Sequence, residues 1–232
     1  MRSFQIQMYD QYLCFESKSK VMTNEFATLG RKFHSLIVLK SYCIANDPEP
    51  VLEILDKITL QENMCLHCHH SSMHCDDIGD NTFLYVRECE IPNHRSRSTA
   101  INETWKNILV EPSEMCLWQV YLLMTTIHVM PFFWHGGYEA RRNIFSPSDL
   151  RNITELKGKD LSYFSESSLQ PDVKISQLSD EEYIGTVLNT YWNDWKGLVR
   201  ETISIKIKGN KIADYAPFQE DVLFKYRSMI YY

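Results

Sequence analysis

Ile203-Ser204-Ile205-Lys206-Ile207-Lys208-Gly209-Asn210-Lys211-Ile212 alternates three isoleucines with polar residues and then places a Gly-Asn pair before the next apolar position. Period-two order puts one residue set on a single face of a sheet, and Gly-Asn suits the tight turn of a hairpin. Val222-Leu223-Phe224-Lys225-Tyr226 supplies a later strand. Upstream, Ser179 and Glu182 have capping-box spacing, and Tyr183, Ile184, Val187, Leu188, Tyr191, Trp192 and Trp195 recur as one helical stripe that Gly197 is placed to stop. The C-terminal third therefore reads as a helix followed by an antiparallel β-meander.

Further toward the N-terminus, Ser113 is a candidate N-cap for a helix running from Glu114 to Met130, with Leu117, Trp118, Tyr121, Leu122 and Ile127 spread over nearly every face. A helix apolar all round is a central one, and Pro131 ends or kinks it. Phe83-Leu84-Tyr85-Val86-Arg87 reads as a strand, and so does the alternating Phe4-Gln5-Ile6-Gln7-Met8. Phe26, Leu29, Phe33, Leu36 and Ile37 recur at helical spacing across Gly30. Val51, Leu52, Ile54, Leu55 and Ile58 suggest a short helix whose first turn tolerates Pro50, and Ser146-Pro147-Ser148-Asp149 starts another. The expected fold class is α+β: a mostly antiparallel sheet, a central apolar helix, and a C-terminal helix leading into a meander. It forms a single compact domain over 1–232, and any division into two lobes, 1–92 and 99–232, falls in the linker-like Pro92 to Thr99.

With 44% hydrophobic and 12% aromatic residues, the 232-residue chain has enough apolar surface to bury a core. The formal charge of −6, without a long basic run, disfavours nucleic-acid binding. The apolar window from Met115 to Met130 carries Gln119, Thr125, Thr126 and His128 and is shorter than the ~20 residues a bilayer needs, so no membrane association is expected. Gln and Asp interrupt the N-terminal stretch where a signal peptide would be apolar. A cytoplasmic protein follows, and seven unevenly spaced cysteines then read as reduced thiols or metal ligands.

Two clusters could carry chemistry. From Cys65 to Cys75 the chain packs seven thiol and imidazole ligands into eleven residues, with Cys65 and Cys68 as a C-x-x-C pair, His74 or Cys75 following after a short loop, and Cys89 or a residue from elsewhere completing four. Zinc is the cofactor such donors would take. If the segment is a strand, Cys65, His67 and His69 face one side and Cys68 and His70 the other, so not all share one ion. The second cluster is Trp134-His135-Gly136-Gly137-Tyr138-Glu139-Ala140-Arg141-Arg142. Its glycines allow close backbone approach, and Trp134, Gly136, Gly137, Tyr138, Arg141 and Arg142 could line a pocket for a small anionic ligand. His135, with His128 or Glu139 as partner, is the candidate acid/base.

Nucleophile-elbow, P-loop, dinucleotide and H-E-x-x-H motifs are absent. The leading expectation is a nonenzymatic interaction or ligand-binding protein, in which changes at Trp134, Tyr138 or Arg141 alter the binding of a protein partner or small anion. The rivals are a metal-dependent or His-based enzyme and a structural zinc protein.

Overall fold

The computed structural model describes residues 19–39, 44, 47–70, 82–90, 104–128 and 141–226. The first expected strand, Phe4 to Met8, and the linker from Pro92 to Thr99 lie outside them.

Helix α1 (Ser19–Leu39) buries Phe26, Phe33, Leu36 and Ile37 on one stripe. Gly30, unfavourable for helix propensity, sits where a Cβ would come within 2.4 Å of the Phe145 ring. Helix α2 (Glu49–Ile54) carries Pro50 in its first turn. Its apolar pattern continues to Ile58, but the helix ends at Ile54 with Leu55 as its C-cap, and Ile58 opens strand β1 (Ile58–Leu60). Strands β2 (Met64–His70) and β3 (Thr82–Glu88) form a separate antiparallel pair, and Leu66, Leu84 and Val86 reach the main core. Strand β4 (Ile108–Val110) pairs with β1.

Helix α3 (Glu114–His128) is the expected central helix, and Ser113 caps it by accepting a hydrogen bond from the Cys116 amide at 3.1 Å. Cys116 to Met124 are buried without interruption. The indole of Trp118 donates to the Phe26 carbonyl at 2.9 Å, tying α3 to α1. After it come β5 (Arg142–Asn143), α4 (Pro147–Arg151) with Ser146 as its N-cap, and α5 (Glu166–Leu169).

Strands β6 (Asp172–Gln177), β7 (Glu182–Asn193), β8 (Gly197–Lys208) and β9 (Lys211–Lys225) follow as consecutive antiparallel neighbours. The seven-stranded sheet runs β1-β4-β9-β8-β7-β5, with β6 also on β7. The fold is thus α+β, mostly antiparallel, with a central apolar helix and a C-terminal meander.

One expected element is corrected: the stretch from Ser179 to Gly197 is a hairpin turn, strand β7 and the turn that leads into β8 at Gly197, not a helix. Ser179 and Glu182 exchange backbone hydrogen bonds across the turn rather than forming a capping box. Near its C-terminal end β7 is buried on both faces, with Val187 and Tyr191 toward α3 and Trp192 in a second apolar cluster with Leu198, Phe224, Ile144 and Leu150. A strand buried on both sides loses its alternation and mimics a helical stripe. The hairpin at Gly209-Asn210 forms as expected. The later strand at Val222 is continuous with it: β9 runs unbroken, with register shifts that include one beside Pro217, where proline is tolerated.

The inner face of β7 meets α3 most closely at Gly185, where a Cβ would lie 2.1 Å from Leu117 and 3.0 Å from the Lys174 carbonyl. Gly185→Ala is expected to lower the unfolding free energy by about 1–3 kcal/mol through overpacking. Urea denaturation checks this, and an unchanged midpoint would show that α3 does not rest on β7 at this point.

Candidate functional site

Val187 and Ile203 point into the core toward α3, so the two-residue period of a strand carries Asn189, Tyr191 and Glu201 to the same face. Asn189 and Glu201 stand opposite each other in the ladder. Tyr121, one turn after Leu117 on α3, meets them from above. Its hydroxyl donates to Glu201 Oε1 at 2.8 Å and accepts from Asn189 Nδ2 at 2.9 Å. Asn189 Nδ2 also donates to Asn143 Oδ1 at 2.8 Å. The Arg141 guanidinium donates to Glu201 Oε1 and lies 4.4 Å from the centre of the Tyr191 ring.

The result is a polar network inside an apolar layer. Asn189 Oδ1 is buried and has no hydrogen-bond partner among the described residues. Burial raises the Glu201 pKa above the usual carboxyl range, against the pull of Arg141 and the Tyr121 hydroxyl. Burial, reinforced by Glu201, pushes Tyr121 well up, and burial likewise raises Tyr191 and Tyr215. Burial works against the Arg141 charge, but Tyr121 and Glu201 outweigh it and hold the guanidinium protonated.

Arg141 and Arg142 do not form one anion fork. Adjacent residues of an extended chain point to opposite faces. Arg141 turns inward to Glu201, whereas Arg142 pairs with Asp194 at 2.9 Å on the other side, and the Trp192 indole donates to the same carboxylate. Of the other residues in that cluster, Trp134, His135, Gly136, Gly137, Tyr138 and Glu139 lie outside the described residues, and His128 closes α3.

The part of the Cys/His segment from Cys65 to His70 lies in strand β2, whose two faces separate Cys65 from Cys68. Cys65 is disulfide-bonded to Cys89, which corrects the expectation of reduced thiols for this pair; the ends of β2 and β3 bring the two residues together. Cys68 faces the opposite way, packed against the core, and burial pushes its thiol up to about 12. His67 stacks on Tyr85 with ring centres 5.4 Å apart. His74 and Cys75 lie outside the described residues, and among those described no three His, Cys, Asp or Glu side chains converge on a metal position.

Glu201, Asn189 and Asn143 were not singled out from the sequence, and Tyr121 was read only as a packing position of the central helix. The available signal was Glu201 itself, at the buried phase of Val199, Ile203, Ile205 and Ile207. Comparison with family models, curated proteins and solved structures returned no match.

Two expectations follow from the titrating groups. A carboxyl whose folded pKa is raised stabilises the fold fully below its unfolded value and loses that contribution as pH rises through the folded one. The difference in unfolding free energy, wild type minus Glu201→Gln, should therefore fall as pH rises from about 4, the unfolded carboxyl value, through the raised folded one. Urea titrations at each pH measure it, and a rising difference would mean that Arg141 outweighs burial. Cys68 and Cys116, whose thiols burial pushes up to about 12 and about 11, should resist alkylation in the native protein and react on unfolding, as read by mass spectrometry.

Proposed function

We propose that the chain is a nonenzymatic binding protein and that it takes a hydrogen-bond-donating ligand at the network of Asn189, Glu201 and Tyr121. The observation that carries this reading is the Asn189 side-chain oxygen, an acceptor in a residue 1% exposed and without a partner among the described residues. Leaving a buried acceptor unsatisfied costs about 1–3 kcal/mol, and such a group calls for an explanation. A ligand N–H supplies one. A small anion has less to hold it, because Arg141 and Arg142 are each already paired with a carboxylate.

The nonenzymatic reading is supported by the state of the ionisable groups in this network, among the described residues. General acid/base work uses a group titrating near the working pH and free to meet the substrate. Tyr121, Tyr191 and Tyr215 are all raised from an already alkaline range, and Arg141 stays charged. Glu201 alone moves toward neutrality, and its Oε1 already receives two donors. That upward shift is the one observation favouring an acid/base enzyme as the second reading. As for location, the Cys65–Cys89 disulfide favours an oxidising compartment over the cytoplasm. No described helix is long and apolar enough to cross a membrane.

A fragment library containing amides, amidines and amines, followed by ligand-observed NMR, tests the proposal. Binders are expected to lose roughly tenfold in affinity in Asn189→Ala, the factor that one hydrogen bond of about 1.4 kcal/mol represents. Affinities untouched by that change would refute the site. Turnover of any fragment that vanishes in Glu201→Gln would replace the binding reading with the enzymatic one.

A further inference from the structure

We infer that the niche filled by the Arg141 guanidinium is a guanidinium-binding site, in which an external guanidinium-bearing ligand competes with the chain's own arginine. The inference deepens the binding reading above and rests on it.

The walls and the occupant come from different kinds of structure. Tyr191 and Glu201 belong to β7 and β8, locked in register by a continuous ladder. Arg141 precedes β5, whose first paired residue is Arg142, and is itself in no strand. The walls are therefore held by the sheet whether or not the arginine is in place. Their chemistry is that of a cation site: the Tyr191 ring face at 4.4 Å and the Glu201 carboxylate, whose Oε1 also accepts from the Tyr121 hydroxyl at 2.8 Å. A planar cation with several N–H donors fits a ring face and a carboxylate together better than a compact ammonium does.

The niche also opens outward. The Arg141 side chain is 29% exposed while that of Glu201 is 4% exposed, so the occupant reaches solvent although the acceptor does not. Next to Glu201 across the ladder lies Asn189, whose buried oxygen Arg141 does not satisfy. An untethered guanidinium has donors to spare for it, since the group carries five N–H bonds in the arginine side chain. Self-occupancy lowers the apparent affinity for any outside ligand by the fraction of molecules in which the niche is vacant.

Thermal melts and calorimetric titration of the full chain with methylguanidinium test this, with neutral methylurea as the shape control. Arg141→Ala is expected to bind methylguanidinium at least about tenfold more tightly than wild type and to recover melting temperature in its presence. Methylurea should do neither, and adding Glu201→Gln to Arg141→Ala should abolish both effects. Should Arg141→Ala fail to fold, Arg141→Gln, which keeps a neutral donor on Glu201, carries the same comparison. Equal responses to methylguanidinium and methylurea, or equal affinities of wild type and variant, would overturn the inference. A Gly-Arg-Gly peptide binding more tightly than methylguanidinium assigns the site to an arginine of a polypeptide; weaker binding assigns it to a small molecule. Gain of methylguanidinium affinity that persists when Asn189→Ala is added supports the niche while sinking the role given to Asn189. Fragment binding at Asn189 without any gain in Arg141→Ala sinks the niche alone.

Discussion

The seating of Leu117 on Gly185 sets the distance between helix α3 and the sheet, and the rest of the interior follows from that distance. No side chain larger than hydrogen fits at Gly185 without displacing Leu117 or the Lys174 carbonyl, so the helix lies directly on β7. One turn later Tyr121 is delivered to the ladder, where it meets Glu201 and Asn189. An apolar contact thereby fixes polar geometry. The opposite sides of α3 are covered by α1, through the Phe26–Trp118 contact, and by the β2–β3 pair, through Leu84 and Val86. This is why its apolar residues are spread around the whole helix and not confined to one stripe.

How far the fold could be read from sequence depended on whether an element had a wet side. Ile203, Ile205 and Ile207 are buried while Lys206 and Lys208 are exposed, so that part of β8 announced itself by alternation, and Gly209-Asn210 marked the turn. Strand β7 has little such contrast in its second half, because Asn189 to Asn193 are all buried. What remained were Gly185 and the β-branched Ile184, Thr186, Val187 and Thr190, which fit a strand better than a helix. Helices α1 and α3 and the capped start of α4 were legible because their signals are local: helical spacing, a serine at the N-cap, and a proline in the first turn.

The site was less legible because it is assembled across the ladder. Arg141 was picked from its neighbourhood, but as half of an arginine pair, and adjacent residues in extended chain point apart. Its partner is 60 residues away in sequence. Glu201 carried a readable sign: a carboxylate at the buried phase of an otherwise apolar strand requires a partner. Asn189 carried none, since an amide within a tyrosine-rich segment fits many settings. The Cys65–Cys68 spacing suggested a shared ion, whereas a three-residue step along a strand reverses the face, and Cys65 instead meets Cys89.

Stability does not account for the polar network. Replacing a buried ion pair with well-packed apolar residues is often neutral or favourable, so the Arg141–Glu201 pair is not what a core needs in order to hold together. The surrounding layer, with Val187, Ile203 and Ile205, shows that this interior is otherwise built from apolar side chains. Asn189 adds to the difficulty, since an acceptor left without a donor among the described residues lowers stability further. The binding proposed above would account for a cluster that a core does not need, because its acceptors and ring faces suit a donor-rich cation better than an anion.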